Sequence, residues 1–222
     1  MRKKEFGMLL LITSLTVACS KQSINKNRKI EPRIVFQDSF STNQGWITGT
    51  QDGVSYGFNN GKYEIKINKE GWLSWAYAPY SNSINFNYSI KADCVFQLDD
   101  NSKMAMGGFI FNYIDNNNCS IAAITNNGYC RIFQVKNGTI NNTTNWISTP
   151  SINILAGSIN KLEILQRTSN AELLINGEPA TSLSIGRINS NVKVGLLAWT
   201  EKGADFAPIV TSFDNFILSA TQ

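Results

Sequence analysis

Apolar and polar residues alternate with a period of two over much of the chain beyond Ile34, and no helical stripe competes with that alternation. The longest run is Phe86 to Leu98. Phe86, Tyr88, Ile90, Ala92, Cys94, Phe96 and Leu98 fall on one side, and Asn87, Ser89, Lys91, Asp93, Val95 and Gln97 on the other. A strand with one buried face has this pattern. Shorter runs of the same kind include Tyr63-Ile65-Ile67, Phe109-Phe111-Tyr113, Leu162-Ile164 and Val192-Val194-Leu196. Asn-Gly pairs at 60–61, 127–128, 137–138 and 176–177 separate several of them. Each pair suits the two positive-φ positions of a tight hairpin. Many strands, frequent turns and no helix predict an all-β antiparallel sandwich or barrel.

The first residues follow another logic. Arg2, Lys3 and Lys4 precede an apolar run from Met8 to Ala18 that is too short to cross a bilayer, which takes roughly 20 residues. This is the layout of a secretory signal over residues 1–18. The run ends Leu15-Thr16-Val17-Ala18-Cys19, which resembles a bacterial lipobox with Cys19 as the lipidated residue, although Thr16 stands where an aliphatic residue is usual. Plain cleavage after Ala18 is the alternative. Residues 19–33 hold Lys21, Lys26, Arg28, Lys29, Pro32 and Arg33 and read as a flexible tether whose charge suits anionic headgroups. Ser20 suits sorting to the outer membrane. The expected folded domain is 34–222.

This division changes what the net charge of +4 means. Eight of the 20 basic residues and two of the 16 acidic ones precede Ile34, which leaves 12 against 14 and a domain balance of −2. A domain that grips nucleic acid by its phosphates is not expected from that balance. Histidine is absent, which excludes Ser-His-Asp and Cys-His catalysis and histidine zinc sites. After Cys19 the cysteines are Cys94, Cys119 and Cys130, an odd number. Cys119 and Cys130 lie out of register across the turn at 127–128, so buried free thiols are expected rather than a disulfide.

Phe36-Gln37-Asp38-Ser39-Phe40-Ser41 followed by Gly45-Trp46 resembles the opening of concanavalin A-like lectin/glucanase domains of the laminin-G-like and keto-disaccharide-hydrolase-like kind. The same order continues through Asn60-Gly61-Lys62-Tyr63, Gly107-Gly108-Phe109-Ile110-Phe111 and Val194-Gly195-Leu196 to Phe213-Asp214-Asn215-Phe216. The resemblance spans about Ile34 to Ser219 and implies an antiparallel jelly-roll β-sandwich. It leaves function open, because such folds host lectins, glycosidases and modules without a ligand.

Glycosidases set two carboxyl groups across the scissile bond. Glucanases of this fold carry Glu-x-Asp-x-x-Glu on one strand, and no such pattern occurs here. No catalytic residue is assigned, and an enzyme would need acids from separate strands. Asp99, Asp100 and Asp115 could offer oxygen to calcium, yet no dense ligand loop is present, so neither metal nor cofactor is expected.

A sugar site needs outward aromatic faces with polar partners. Over 72–77, Leu73, Trp75 and Tyr77 are taken as the core face, with Trp72 opposite. Over 192–199, Val192, Val194, Leu196 and Ala198 form the core face, with Trp199 opposite. Trp72 and Trp199 are therefore the candidate platforms, with Asn87, Lys91 and Asp93 as polar partners, unless a loop such as 200–208 covers a tryptophan. Trp46 and Trp146 look like packing residues. The sequence thus points to a lipid-anchored cell-envelope protein with a lectin-like sandwich, whose ligand would be a neutral or weakly charged glycan. A glycosidase-like enzyme and a structural or protein-interaction module are the alternatives.

Overall fold

In the computed structural model, the alternation becomes sixteen strands and no helix among the described residues, which are 32–81, 84, 87–98, 104–185, 192–202 and 208–220. Residues 1–31 with Cys19, Phe86, the acid pair Asp99 and Asp100, and 203–207 of the proposed covering loop lie outside the described residues, while Arg33 at the end of the expected tether already belongs to the first strand. In chain order the strands are β1 (Arg33–Asp38), β2 (Gly49–Gln51), β3 (Val54–Asn59), β4 (Lys62–Ile67), β5 (Leu73–Tyr77), β6 (Tyr88–Gln97), β7 (Ala105–Asp115) and β8 (Asn118–Thr125). They continue as β9 (Tyr129–Lys136), β10 (Thr139–Thr143), β11 (Ile147–Ser148), β12 (Ile159–Arg167), β13 (Asn170–Ile175), β14 (Glu178–Ser184), β15 (Lys193–Thr200) and β16 (Ile209–Ala220).

They pair into two antiparallel sheets. The nine-stranded sheet runs β14-β13-β12-β6-β16-β4-β3-β2, with β1 beside the C-terminal half of β16. The seven-stranded sheet runs β10-β9-β8-β7-β15-β5, with β11 beside β9. Neighbours in the chain repeatedly change sheet: β5 belongs to the second and β6 to the first. This is a concanavalin A-like jelly-roll sandwich.

Between the sheets lies one apolar core. Ile65, Ile90, Cys94, Phe213 and Leu218 from the first sheet meet Phe109, Phe111, Ile124, Ile132 and Leu196 from the second. Each such aliphatic or aromatic side chain contributes about 1.5–3 kcal/mol on burial. The sheets approach closely at Gly107, where a Cβ would meet Cys94 Sγ and Thr211 Cγ2, both at 2.7 Å. At one end the Trp46 ring packs 5.3 Å from Phe40 and 5.2 Å from Phe216. Its Nε1 donates to Asp38 Oδ2 at 2.9 Å, and Phe40 N donates to Asp38 Oδ1 at 2.8 Å. Asp38 is thus a buried acceptor that ties the opening segment to the core, which gives Asp38, Phe40 and Trp46 a structural reason to occur together.

Three of the Asn-Gly pairs make the expected turns. Both residues have positive φ at Asn60-Gly61 (49° and 71°), Asn137-Gly138 (52° and 76°) and Asn176-Gly177 (54° and 88°). The fourth differs. Only Gly128 is positive, at 93°, within the connection 126–128, where the Asn126 side chain accepts from Ala105 N at 2.9 Å. Cys94, Cys119 and Cys130 are free and buried. Cys119 stands opposite Val135 and Cys130 opposite Ile124.

Candidate functional site

The outer face of the seven-stranded sheet is unusually apolar, and strand register shows how it is built. One row across it reads Arg131, Ala123, Gly108, Leu197, Trp75. The next reads Phe133, Ile121, Ile110, Gly195, Tyr77. Aliphatic and small residues occupy the middle, with aromatic side chains toward the flanks. Ile110, Ile121 and Leu197 point away from the main core yet are buried, in a second cluster bordered by half-buried Leu73, Trp75, Tyr77, Tyr113, Trp146 and Trp199. The aromatic rings lie over the middle of the sheet and shield it.

Their contacts form two groups. At the β5 side, the Tyr77 and Tyr113 rings are 4.8 Å apart and Trp75 is 6.1 Å from Tyr113. Trp75 Nε1 donates to the Tyr77 hydroxyl at 2.7 Å, Tyr77 is hydrogen-bonded to Tyr113, and Tyr113 donates to Asn116 Oδ1 at 2.8 Å. Burial, and then that bond to Tyr113, raises the Tyr77 pKa above the ordinary phenol value, so the hydroxyl stays protonated. At the other side, Trp199 lies 6.3 Å from Phe133 and 6.4 Å from Trp146. The Arg131 guanidinium stacks over Phe133 and Trp146, at 5.2 and 5.7 Å. Beside the first group lies a cleft of about 510 Å³ bounded by Gly45, Trp75, Tyr77, Tyr80 and Lys193.

This arrangement corrects three assignments made from sequence. Leu73, Trp75 and Tyr77 form the outer face of β5, while Ser74 and Ala76 face inward and are buried. The apolar set of a strand need not be the core set when the small set fits under the large side chains of the facing sheet. Trp146 is part of the outer aromatic face rather than the core. The five candidate ligand residues do not form one site. Trp199 is on the outer face of the seven-stranded sheet, whereas Lys91 and Asp93 project from β6 on the outer face of the other sheet. There Lys91 pairs with Glu163 at 3.1 Å and Asp93 accepts from Asn215 Nδ2 at 2.8 Å. Asn87 precedes β6 and, with Lys91, lines a separate groove of about 690 Å³ that also includes Ile34 and Arg167. Trp72 stands just before β5, on the side of Ser74 and Ala76 by parity, with Lys69 Nζ 4.3 Å from its ring centre. It is 38% exposed, and its backbone is held by Thr200.

Asp115 is the single carboxylate among the residues of the strands in the seven-stranded sheet. It closes the β7–β8 turn, where its Oδ1 accepts from Asn117 N and Asn118 Nδ2 at 2.7 and 2.9 Å. Among the described residues, no group of three or more Cys, Asp or Glu is placed to hold a metal ion.

No protein-family model matches the chain, and no curated protein matches it. Solved structures do. A carbohydrate-binding module, CBM66, from Bacillus subtilis superposes with a TM-score of 0.59 at 14% identity, covering 79% of this chain and 96% of that one. A Bacillus subtilis protein of unknown function with a galectin-like fold gives 0.59 at 10% identity over 86% and 98%. The kappa-carrageenase of Pseudoalteromonas carrageenovora gives 0.56 at 10% identity over 90% and 99%. At such identities the likeness establishes the sandwich fold.

Proposed function

We propose that this chain is a lipid-anchored protein of the bacterial cell envelope that binds glycan, without hydrolysing it, on the outer face of its seven-stranded sheet. The observation that carries the reading is the aromatic face itself. Trp75, Tyr77, Tyr113, Trp146 and Trp199 are half-buried on the outside of a sheet whose other side already supplies the core. A contiguous outward patch of this kind marks an interaction surface. Sugar rings present C–H faces that pack on aromatic rings and hydroxyls that bond to groups such as the tyrosine hydroxyls here. Sugar-related proteins recur among the similar folds, which supports the same ligand class.

Hydrolysis would need a second carboxyl group facing the first. The strands beneath this face offer Asp115 alone, and it is engaged in a turn. The anchor rests on the apolar run ending Val17-Ala18-Cys19. The reading is tested with the full chain in detergent on a glycan array. Binding that is lost in Trp75→Ala, with thermal unfolding still cooperative, is the expected outcome. A folded protein that binds no glycan contradicts the reading. Mass spectrometry of the membrane fraction should find an acylated N-terminal Cys19, and a free N-terminal Cys19 in the soluble fraction would remove the anchor.

A further inference from the structure

Resting on that glycan reading, we infer that the ligand is an acidic sugar whose carboxylate or sulfate group meets Lys193 at the cleft beside Trp75 and Tyr77. The domain balance of −2 predicts a neutral or weakly charged ligand, but the charge is not spread evenly over the two sheets. Among the described residues that line the cleft, Lys193 is the only charged one and none is a carboxylate. The side chain is exposed and its Nζ sits 4.9 Å from the centre of the Tyr77 ring. The ammonium is therefore held at the cleft by an aromatic face, which leaves its three N–H groups to meet an anion. The Lys91–Glu163 ion pair lies on the other sheet.

A second cation stands on the same face. Arg131 occupies the row that ends at Trp75, with Ala123, Gly108 and Leu197 between them. Its Nε donates to Thr143 Oγ1 at 2.9 Å and Thr144 O at 3.2 Å, which fixes the guanidinium plane over Phe133 and Trp146. Two cations thus flank a stretch of rings, while Asp115 sits in the turn at one end and Glu201 follows the last residue of β15 at the other. The cleft's volume of about 510 Å³ falls within the roughly 300–1,000 Å³ of small-ligand sites, enough for a sugar unit with its substituent. An unbranched neutral glycan would leave both cations without a counter-charge. A uronate or sulfated sugar unit would supply one to Lys193 while its ring lies on the aromatic side chains, and a further acidic unit of the same glycan would be needed to reach Arg131.

The test is an array of backbone-matched neutral, uronate-containing and sulfated oligosaccharides, probed with the full chain in detergent and with Lys193→Gln and Lys193→Arg proteins. Binding confined to acidic members, about tenfold or more weaker in Lys193→Gln and retained in Lys193→Arg, supports the inference; this is the scale of one hydrogen bond to a charged group. Whether uronates or sulfates respond identifies the anion. Equal binding of neutral and acidic members, or no effect of Lys193→Gln, overturns the acidic-sugar assignment and leaves glycan binding standing. Binding to no sugar of any class overturns both. Lys193 is exposed, so Lys193→Gln should melt with the parent, and its binding loss would not reflect unfolding.

Discussion

The rings of Trp199 and Phe133 lie 6.3 Å apart, although β7 and β8 separate their strands β15 and β9. Three strand steps amount to about 14 Å in a flat sheet. The rings therefore reach toward each other above Gly108 and Ala123, where a bare backbone and a single methyl group leave room beneath. Removing Trp199 should uncover apolar floor as well as a platform. Trp199→Ala is expected to cost about 1.5–3 kcal/mol, below the roughly 3–5 kcal/mol of a fully buried tryptophan. Trp72, which is more exposed, should cost under about 1 kcal/mol when changed to Ala. Denaturant unfolding of the two variants measures both values. Equal costs would contradict the placement of these residues.

Asp38 and Trp46 should behave as one unit. The buried carboxylate accepts from Trp46 Nε1, Phe40 N and Gln44 Nε2. Asp38→Ala leaves buried donors unpaired and should cost roughly 3–5 kcal/mol, whereas Trp46→Phe keeps an aromatic ring and should cost about 1.5–3 kcal/mol. In a double-mutant cycle the two costs should be less than additive. Full additivity would show that the hydrogen bond is not what couples them.

Gly195 and Gly57 offer a contrast within one fold. A Cβ at Gly195 would meet Ala76 O at 2.1 Å, against the edge strand that carries Trp75 and Tyr77. A Cβ at Gly57 meets nothing within 4 Å. Gly195→Ala should lose about 3 kcal/mol or more and loosen β5. Gly57→Ala should be neutral or gain up to about 1 kcal/mol by restricting the unfolded chain. Thermal melts of both proteins decide this, and a destabilised Gly57→Ala beside a normal Gly195→Ala would contradict it.

Burial pushes the Cys130 thiol up to about 11, and burial followed by the Asp115 charge does the same for Cys119. Cys94 lies higher still, through burial and then Asp93. A thiol whose folded pKa exceeds its unfolded value contributes stability that is intact below the unfolded pKa of about 9 and is lost as pH rises through 11. Unfolding free energy should therefore decline between pH 9 and 11, and a rise over that interval would contradict the burial. At pH 8 a thiol reagent should leave the native protein unmodified. In denaturant it should react with Cys94, Cys119 and Cys130, and additionally with Cys19 only if that residue carries no lipid.

The strand faces of β4, β6 and β12 were legible from alternation, because each sets apolar residues mainly against polar ones. β5 was not. In Leu73-Ser74-Trp75-Ala76-Tyr77 the heavier set looks like core, and only the facing sheet shows that Ser74 and Ala76 are what fits inside. Period two likewise tells which residues share a face and not which sheet the strand joins. Lys91 and Trp199 both read as outward, and both are, on opposite sides of the sandwich. That separation is fixed by the long-range pairing of β6 with β12 and β16 and of β15 with β5 and β7. β7 and β8 hide the site further, because they are buried on both faces over Ala105–Asn112 and Cys119–Thr125, as floor strands under aromatic cover must be.

The central claim is that one outer face binds glycan and the other does not. The most direct measurement is the affinity of the full chain for a glycan that it binds on an array, compared side by side for Trp75→Ala on the seven-stranded sheet and Lys91→Ala on the nine-stranded sheet. Trp75→Ala should weaken binding by about tenfold or more, the scale of one aromatic anchor, while Lys91→Ala stays within about twofold of the parent. Unchanged affinity in Trp75→Ala together with loss in Lys91→Ala would move the site to the opposite side of the sandwich and contradict the account.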